Sequence, residues 1–366
     1  MSLVAGPAAL ALSSLSQTQL SFIKTLPKAE LHAHLNGCVP ISALRELAKA
    51  YNVPISPDTT TLNNAQIAGG INNLENFDLD DIHGFFAAFG TIYALIATRD
   101  ALAEATRAVL VQFLGPSSPS FDSESECTYL ELRTTPRTTQ TLSVEEYLDN
   151  VLAEVERYPS NRAALILSLD RRMPLSATGD GKPAIQDVVE IAIRLKQAGR
   201  RVVGLDLCGD PLAGDMSLLE PSLAKAKAAG LGLTLHIAET TANTPAETLQ
   251  LLSYSPDRLG HATFLDEEAK DIVLNMKMAI EICLSSNLIC KTVPSLSAHH
   301  IRFYLERNHP IAICTDDTLP FRTSLTAEYA LLFAQEPLGL GLSEAEVRKI
   351  AAGSLDVAFN PDVGSR

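Results

Sequence analysis

Short runs of Val, Ile and Leu recur along the chain, separated by longer stretches in which apolar residues have helical spacing. Eight of these runs are continuously apolar, as expected for strands of a parallel sheet buried on both faces. They span residues 28–36, 127–135, 163–172, 201–210, 231–239, 258–264, 279–287 and 311–317. Eight alternations of strand and helix predict an α/β fold, a closed TIM (β/α)8 barrel with the helices outside. A doubly wound open sheet is the alternative, but its phosphate-binding G-x-G-x-x-G is absent from the sequence.

The stretch between the first two strands, roughly residues 37–126, is too long for one crossover helix. Residues 78–96 within it carry aromatic residues at helical spacing, namely Phe85, Phe86, Phe89 and Tyr93. We predict a helical excursion that covers the barrel mouth and excludes water. Most of these aromatics are expected to pack in the interior, and one or two to touch a ligand as well. Residues 117–126 are polar and are predicted to form a surface loop.

Local signals predict where two helices begin and how the domains are arranged. Ser143 with Glu146, and Ser343 with Glu346, have the spacing of capping boxes. Residues 1–21 are mildly apolar without the basic residues of a secretory signal, and we interpret them as an N-terminal extension, poorly structured or helical. Residues 22–366 are predicted to form one barrel domain.

Composition restricts the classes of partner. The 366 residues are 46% hydrophobic and 20% charged, as in a soluble globular protein, and the net charge is −14. A general nucleic-acid interface needs a basic surface, so no nucleic-acid partner is expected, and no membrane partner either. The six cysteines lack C-x-x-C spacing, which favours reduced, buried thiols in a cytoplasmic protein over disulfides. We expect a monomer.

Polar residues follow nearly every predicted strand, where a purely structural barrel would be apolar. They are His32 and His34, Arg133 to Thr135, Asp170, Asp206 and Asp210, His236 and Glu239, His261, Asn287, and Asp316 and Asp317. In barrel enzymes the active site lies at the carboxyl ends of the strands. Eight separate strands therefore are expected to bring these groups to one place.

The first pair of histidines suggests a metal site. Residues two apart on a strand project to the same side, so His32 and His34 can both face the barrel interior. An isolated H-x-H is as compatible with hydrogen-bonded core histidines as with a metal. His236 and Asp316 at later strand ends favour the metal, because three imidazoles and one carboxylate suit zinc with a position left for water. Iron or cobalt could bind the same set.

Three further residues are candidates for acid–base chemistry. Glu239 lies three residues after His236 and could exchange protons with a substrate, although a carboxylate in a first helical turn is also favoured by the helix dipole. His261, flanked by small residues, could orient an attacking hydroxide or could be a satisfied buried histidine. Burying both Asp316 and Asp317 is costly unless one binds a metal and the other a donor.

At this point the motifs resemble a known family. LPKAELHAHLNG, YLELRTTPR, GLDLCGDP, LHIAE, DRLGHATFL, IEICLSSN and ICTDD, in this order, are similar to the adenosine/AMP deaminase family of the amidohydrolase superfamily. LELRTTPR, LSLDRR and TVPS followed by His299 and His300 are similar to its adenosine-deaminase-like branch, which acts on N6-methyl-AMP. The resemblance runs from about Phe22 to Asn360, nearly the whole chain.

The resemblance implies a (β/α)8 deaminase that hydrolyses N6-methyl-AMP to IMP and the amine, with other N6-substituted AMPs as further candidate substrates. It implies one zinc ion per chain, held by His32, His34, His236 and Asp316. Glu239 is implied as the proton shuttle, His261 as the partner of the attacking hydroxide, and Asp317 as a contact to substrate and hydroxide. The implied substrate-binding residues are His34, Asn36, Tyr93, Thr134, Thr135, Pro136, Arg137, Asp170, Gly209, Glu239 and Asp317.

Within that set, Arg137 with Thr134 and Thr135 is implied to bind the phosphate, since a guanidinium fork and hydroxyls are suitable donors. The chain departs from the family at three points. Tyr93 stands where relatives usually carry His in a T-I-H segment, and would reach the phosphate through its hydroxyl. Cys38 replaces the usual Ser after N-G, and HIAE replaces the more common H-L-S-E.

Three alternatives stay open at this point. The same chemistry could serve adenosine, giving inosine and ammonia. The chain could bind a purine without turning it over, although every catalytic position carries a competent residue. It could also be an amidohydrolase of a non-purine amide or lactone, which would not need Glu239, Gly209 and Asp317 together.

Overall fold

The computed structural model describes residues 4–51, 62–76, 82–117, 125–139, 141–179 and 182–363. Eight parallel strands are hydrogen-bonded in chain order, each to the next. They are β1 (Ala29–Glu30), β2 (Tyr129–Thr134), β3 (Ala163–Asp170), β4 (Val202–Cys208), β5 (Gly232–Ile237), β6 (Arg258–His261), β7 (Ala279–Ile282) and β8 (Ile311–Ile313). β8 lies against β1, which closes the sheet into the predicted TIM barrel.

Helices alternate with these strands and surround the barrel. Within the described ranges they are α1 (Gly6–Ser14), α2 (Gln17–Thr25), α3 (Ile41–Ala50), α4 (Asn64–Asn76), α5 (Ile82–Leu95), α6 (Arg99–Leu114), α7 (Val144–Val155), α8 (Ile185–Gln197), α9 (Glu220–Ala228), α10 (Pro245–Ser253), α11 (Glu267–Met276), α12 (Leu284–Ile289), α13 (Ile301–Glu306), α14 (Leu325–Phe333) and α15 (Glu344–Asp356). Short 3₁₀ turns occupy Asn36–Cys38, Met216–Leu218 and Leu296–Ala298.

Both predicted capping boxes are present. The Ser143 hydroxyl accepts from the Glu146 amide, and the Glu146 carboxylate accepts from the Ser143 amide, at the start of α7. Ser343 and Glu346 make the same reciprocal pair at the start of α15. Such pairs satisfy amides that the first helical turn leaves without partners, and this is why both helices begin at the predicted residue.

The strands are shorter than predicted at their carboxyl ends. β7 ends at Ile282 and the chain turns directly into α12, so Asn287 lies on a helix and not at a strand end. β8 ends at Ile313, three residues before Asp316. β1 keeps a regular ladder over two residues, and the pairing then moves from Glu30 with Leu130 to His34 with Arg133, a shift of one residue. The extra residue lifts the His32–His34 segment out of the regular ladder.

The excursion after β1 consists of α3 to α6. α5 contacts the Asn36–Cys38 turn at the rim of the barrel, as expected for a cover over its mouth. Phe89 packs against the core, with its ring centroid 5.6 Å from that of Tyr93. The side chains of Phe85 and Phe86, and most of the predicted loop at 117–126, lie outside the described residues.

The remaining expectations concern the N-terminus and the cysteines. The described part of residues 1–21 contains α1 and the beginning of α2, and α1 packs against α14 with Ala8 and Ala11 buried. All six cysteines are free thiols, and five of them are buried. Within the described ranges, the helices are all too short or too polar to cross a membrane.

The carboxyl-terminal segment covers the amino-terminal end of the barrel. The Phe359 ring lies against Gly204 and Gly232, where a Cβ atom would approach ring carbons to 2.5 and 2.4 Å. The Arg258 guanidinium lies 3.6 Å from the centroid of the same ring. Glycine is therefore required at both strand positions by the close approach of the ring.

Gly232→Ala is expected to destabilise the protein by about 1–3 kcal/mol, because the added methyl group overpacks a fixed aromatic ring. Gly353→Ala is the matched control, since a Cβ atom there meets nothing within 4 Å on α15. In a helix interior that change stabilises by about 0.5–1 kcal/mol. Denaturant unfolding of the three proteins measures both effects. Equal stability of the Gly232 variant and the wild type would refute the packing argument.

Candidate active site

Four strands, β4, β5, β6 and β8, leave the barrel through residues in the left-handed backbone region. Gly209 after β4 has φ +98°, Ala238 after β5 +47°, His261 at the end of β6 +61°, and Asp316 after β8 +58°. For residues other than glycine this conformation costs of order 1–3 kcal/mol and is concentrated at functional sites. These turns bring the polar residues of separate strands to the carboxyl-terminal rim of the barrel.

Three of the predicted histidines converge at this rim. The Nε2 atom of His236 lies 3.0 Å from Nε2 of His32 and 3.3 Å from Nε2 of His34. His32 is fully buried, whereas His34 retains 18% of its side-chain exposure. His261 joins the group, its ring centroid 5.0 Å from that of His32 and 5.2 Å from that of His236.

Hydrogen bonds at the other ring nitrogens fix which nitrogen faces the centre. His32 Nδ1 lies 2.5 Å from Glu281 Oε2, and His236 Nδ1 lies 2.9 Å from both Asp206 Oδ1 and the Leu207 carbonyl. Because these partners are acceptors, each Nδ1 carries the proton and each Nε2 presents a lone pair to the centre.

Lone pairs 3.0 Å apart need a positive charge between them. Burial lowers the pKa of His32 and His34 well below the usual value. Burial also acts on His236, but the adjacent Asp206 carboxylate raises the pKa of that imidazole to about 9. One proton on His236 can bridge to one neighbour at a time, whereas a metal ion can meet all three nitrogens. The donor set therefore fits a cation that binds imidazole.

Carboxylates complete this group. Asp316 Oδ1 lies 3.8 Å from His34 Nε2, and Asp316 Oδ2 lies 3.8 Å from His261 Nε2. Asp317 packs directly against Gly37, and its Oδ1 is buried without a hydrogen-bond partner among the described residues. Burial, with the neighbouring Asp316 charge, raises the pKa of Asp317 well above the usual range. A positive charge at the centre would stabilise both carboxylates as anions.

Two cysteines also lie within ligand distance of the same region. Cys283 is near His32 and Asp316, and Cys208 is near His34 and Asp206. Burial raises the pKa of both thiols well above the usual value, so each would have to lose a proton to bind a metal, whereas the imidazole Nε2 atoms already present lone pairs. The histidines with Asp316 are the better ligand group.

Glu239 and His261 lie beside each other next to the histidine group. Glu239 Oε1 lies 3.8 Å from His261 Nε2, and a third of the Glu239 side chain is exposed, whereas His261 is buried. Burial raises the pKa of Glu239, and burial lowers the pKa of His261 to about 4. The raised pKa favours the protonated form of Glu239 and the lowered pKa favours the neutral form of His261, which are the states needed by a proton donor and a proton acceptor.

A cleft with a volume of about 910 Å³ lies on the side of Thr135 and Asp170, at the carboxyl ends of β2 and β3. Tyr93, Thr135, Pro136, Arg137 and Asp170 line it, together with Arg172 and Lys182. The Arg137 guanidinium carbon lies 3.3 Å from the centroid of the Tyr93 ring, and Arg137 Nη1 is buried without a partner among the described residues. Tyr93 therefore supports Arg137 with its ring, and burial raises the pKa of its hydroxyl to about 12.

The other predicted substrate contacts are placed differently. The Thr134 hydroxyl is buried and lies 2.8 Å from the Tyr147 hydroxyl, away from the cleft. Asn36 is buried at the rim, and its Oδ1 lacks a partner among the described residues. Gly209 leaves no room for a side chain, since a Cβ atom there would lie 2.7 Å from Asp170 Oδ1.

An ionic network beneath the histidines was missing from the predicted site. Arg133 Nη2 lies 2.9 Å from Glu281 Oε2, and Arg133 Nη1 lies 3.2 Å from Asp206 Oδ1. Arg258 Nε lies 2.7 Å from Glu281 Oε1, and Arg258 Nη2 lies 2.7 Å from Glu131 Oε2. All five side chains are essentially fully buried. In the sequence, this network is indicated only by charged residues that lie within several of the apolar strands.

The fold and the site together define a hydrolytic enzyme of the TIM-barrel class. A sequence model of the adenosine deaminase family matches residues 27–366. An adenosine deaminase-like protein from Drosophila melanogaster is 34% identical over 324 residues, covering 87% of this chain and 88% of that protein. The chain belongs to the adenosine deaminase family and is a hydrolytic deaminase.

Solved structures agree with this assignment. The crystal structure of an N6-mAMP deaminase from Arabidopsis superimposes with a TM-score of 0.77 and 31% identity, covering 93% of this chain and 96% of that chain. A crystal structure of Arabidopsis ADAL complexed with IMP has a TM-score of 0.77 and 30% identity, covering 93% of this chain and 94% of that one.

Proposed function

We propose that this protein is a zinc-dependent deaminase that converts N6-methyl-AMP to IMP and methylamine. The observation that carries the proposal is that the Nε2 atoms of His32 and His34 lie 3.0 and 3.3 Å from Nε2 of His236. Glu239 and His261 lie beside this group. The name of the Arabidopsis enzyme supports the choice of substrate, and the IMP complex of Arabidopsis ADAL supports a nucleotide product. A role in cytoplasmic purine nucleotide salvage, as a monomer, is part of the proposal.

We assign His32, His34, His236 and Asp316 as the zinc ligands. Nitrogen and carboxylate donors in this number suit zinc, with a position left for water. Zinc held there lowers the pKa of water so that a nucleophile is available at neutral pH. Glu281 and Asp206 hold the rings of His32 and His236 in the tautomer that leaves Nε2 free.

The acid–base steps are assigned to three side chains. Glu239, protonated when substrate binds, donates its proton to N1 of the purine, which makes C6 electrophilic. Asp317 and neutral His261 orient the attacking water toward C6, and His261 accepts one of its protons. As the C6–N6 bond breaks, His261 passes that proton to N6 so that methylamine leaves neutral. Glu239 regains a proton from the C6 hydroxyl, which leaves IMP with N1–H and a C6 carbonyl. The raised pKa of Glu239 and the lowered pKa of His261 support these protonation states.

The cleft beside Arg137 is assigned to the nucleotide's phosphate. Arg137 offers Nη1, which is buried without a partner among the described residues, and Thr135 lies beside it on the cleft wall. Asp170 lines this cleft, Gly209 packs against Asp170, and both are assigned, with the buried Asn36, to the nucleoside. Thr134 and Pro136 are assigned to shaping this segment rather than to direct donation, since the Thr134 hydroxyl bonds to Tyr147.

The ligand assignment predicts the effect of His34→Ala. Removing one of three imidazoles is expected to reduce zinc in dialysed protein from about one ion per chain to well below it, because three donors hold zinc more weakly than four. His309→Phe is the control, since His309 Nε2 donates to the Met278 carbonyl away from the site. Elemental analysis measures the metal. Stoichiometric zinc in the His34 variant would remove this residue from the ligand set.

A substrate comparison tests the function itself. Zinc-loaded protein is expected to turn over N6-methyl-AMP with a higher kcat/KM than AMP or adenosine, measured by chromatography of the IMP or inosine formed. Glu239→Gln is expected to lose about 10²–10⁴-fold in kcat with its zinc retained, because it cannot donate a proton. A preference for adenosine would replace the nucleotide with a nucleoside substrate. Absence of turnover on all three would refute the proposed function.

The stacking of the Tyr93 ring on Arg137 predicts that two substitutions of Tyr93 differ in their effect on KM. Tyr93→Phe keeps the ring beneath Arg137 and is expected to leave KM for the nucleotide within about 3-fold of wild type. Tyr93→Leu removes a cation–π contact of about 1–2 kcal/mol and is expected to raise that KM by about 5- to 30-fold. Turnover of adenosine, which lacks the phosphate, is the internal control. Equal damage by both substitutions would instead indicate a contact through the hydroxyl.

A further inference from the structure

His261 is held in an unusual backbone conformation at the end of β6. Both His261 and Ala262 have positive φ, +61° and +48°. The Ala262 amide donates to the Gly260 carbonyl at 2.8 Å and to the Ile237 carbonyl at 3.2 Å, and the Phe264 amide donates to the Ala238 carbonyl at 2.9 Å. Without support from outside, two consecutive left-handed residues would relax toward ordinary backbone angles.

One support comes from His300. Its Nε2 atom lies 2.8 Å from the His261 carbonyl, so the Nε2–H group donates to that oxygen. The His300 ring lies nearly parallel to the His299 ring, with centroids 4.4 Å apart and 19° between the planes. Burial lowers the pKa of His300 to about 4, so the ring is neutral and this donor is a single, defined N–H.

A second support reaches the same turn through His299. The Ile301 amide donates to His299 Nδ1 at 3.0 Å, so Nε2 of His299 carries the proton and donates to Asn287 Oδ1 at 3.1 Å. The side-chain amide of Asn287 in turn donates through Nδ2 to the Thr263 hydroxyl at 3.2 Å. Thus His300 fixes the carbonyl of residue 261 and His299, through Asn287, fixes the side chain of residue 263.

We propose that His299 and His300 form a clamp that positions the His261 imidazole for the deamination reaction. The clamp is defined as His299, His300 and Asn287, and it acts on the 261–263 turn without touching substrate. The inference rests on the proposed function for the reaction that His261 serves. His300 is thus a positioning residue, acting through His261.

His300→Phe tests the clamp, because it keeps an aromatic ring on His299 and removes the N–H donor. We expect kcat to fall about 10- to 100-fold, since small misplacement of a catalytic group has effects of this size. KM and zinc content are expected to stay at the wild-type values. His300→Gln, which retains an N–H donor of similar reach, is expected to recover most of the lost kcat.

His309→Phe is the matched control. His309 also donates from Nε2 to a backbone carbonyl, that of Met278 at 2.7 Å, and its ring also lies beside Tyr304, but it precedes β8 at the opposite end of the barrel. It is expected to leave kcat unchanged. In a His261→Ala background, His300→Phe is expected to have no further effect on kcat, because residues that act as one unit are not additive.

Hydrogen exchange provides a readout that does not depend on turnover. The Ala262 and Phe264 amides are protected by the turn, so exchange of the 258–266 peptide is expected to accelerate in His300→Phe and not in His309→Phe. Unchanged exchange would overturn the clamp, as would a kcat loss of equal size in the His261→Ala background. If the wild type turned over no aminopurine, the proposed function would fail, and the exchange comparison would still decide whether the clamp exists.

Discussion

The site depends on a set of buried charges beneath the histidines. Burial alone would raise the pKa of Glu281, but Arg133, His32 and Arg258 hold it well below the usual value. Burial would likewise raise the pKa of Asp206, but His236 and Arg133 keep it low. Removing one member would leave an unpaired buried charge, at a cost of about 3–5 kcal/mol. These ion pairs therefore fix the rotation of the His32 and His236 rings as well as the packing of the strands.

The network also explains why the ligands come from different strands. Its side chains belong to β2, β4, β6 and β7, and it holds histidines that follow β1 or lie on β5. β2 contributes two inward charges and β4, β6 and β7 one each, and none could be buried without partners from other strands. A closed parallel barrel supplies those partners, because alternate strands place inward side chains in common layers. The site is thus a property of the whole barrel and not of any one motif.

Sequence patterns predicted the eight strands, the helix starts at Ser143 and Ser343, and the approach of His32, His34 and His236. They overestimated the lengths of β7 and β8, because the chain turns at those ends without the Gly or Pro that usually marks a turn. β7 leads directly into α12, and Asp316 after β8 adopts a positive φ. The stacking of Tyr93 on Arg137 and the pairing of Arg133 with Glu281 join residues distant along the chain. Such contacts depend on the register of the closed sheet, which one sequence does not disclose.

The distribution of charge around the site accounts for how an acidic protein can accept an anionic substrate. The carboxylates of Glu239, Asp316 and Asp317 surround the histidine group, where a metal ion would offset them. Arg137, Arg172 and Lys182 line the neighbouring cleft together with Asp100, Glu104 and Asp170, so charges of both signs are present there. The phosphate of the proposed substrate would be repelled by the carboxylates at the histidine group until a cation is in place, whereas Arg137 offers it a buried Nη1 without a partner among the described residues. The net charge of −14 therefore does not by itself oppose the proposed nucleotide binding, because a local donor and not the overall charge would face the phosphate.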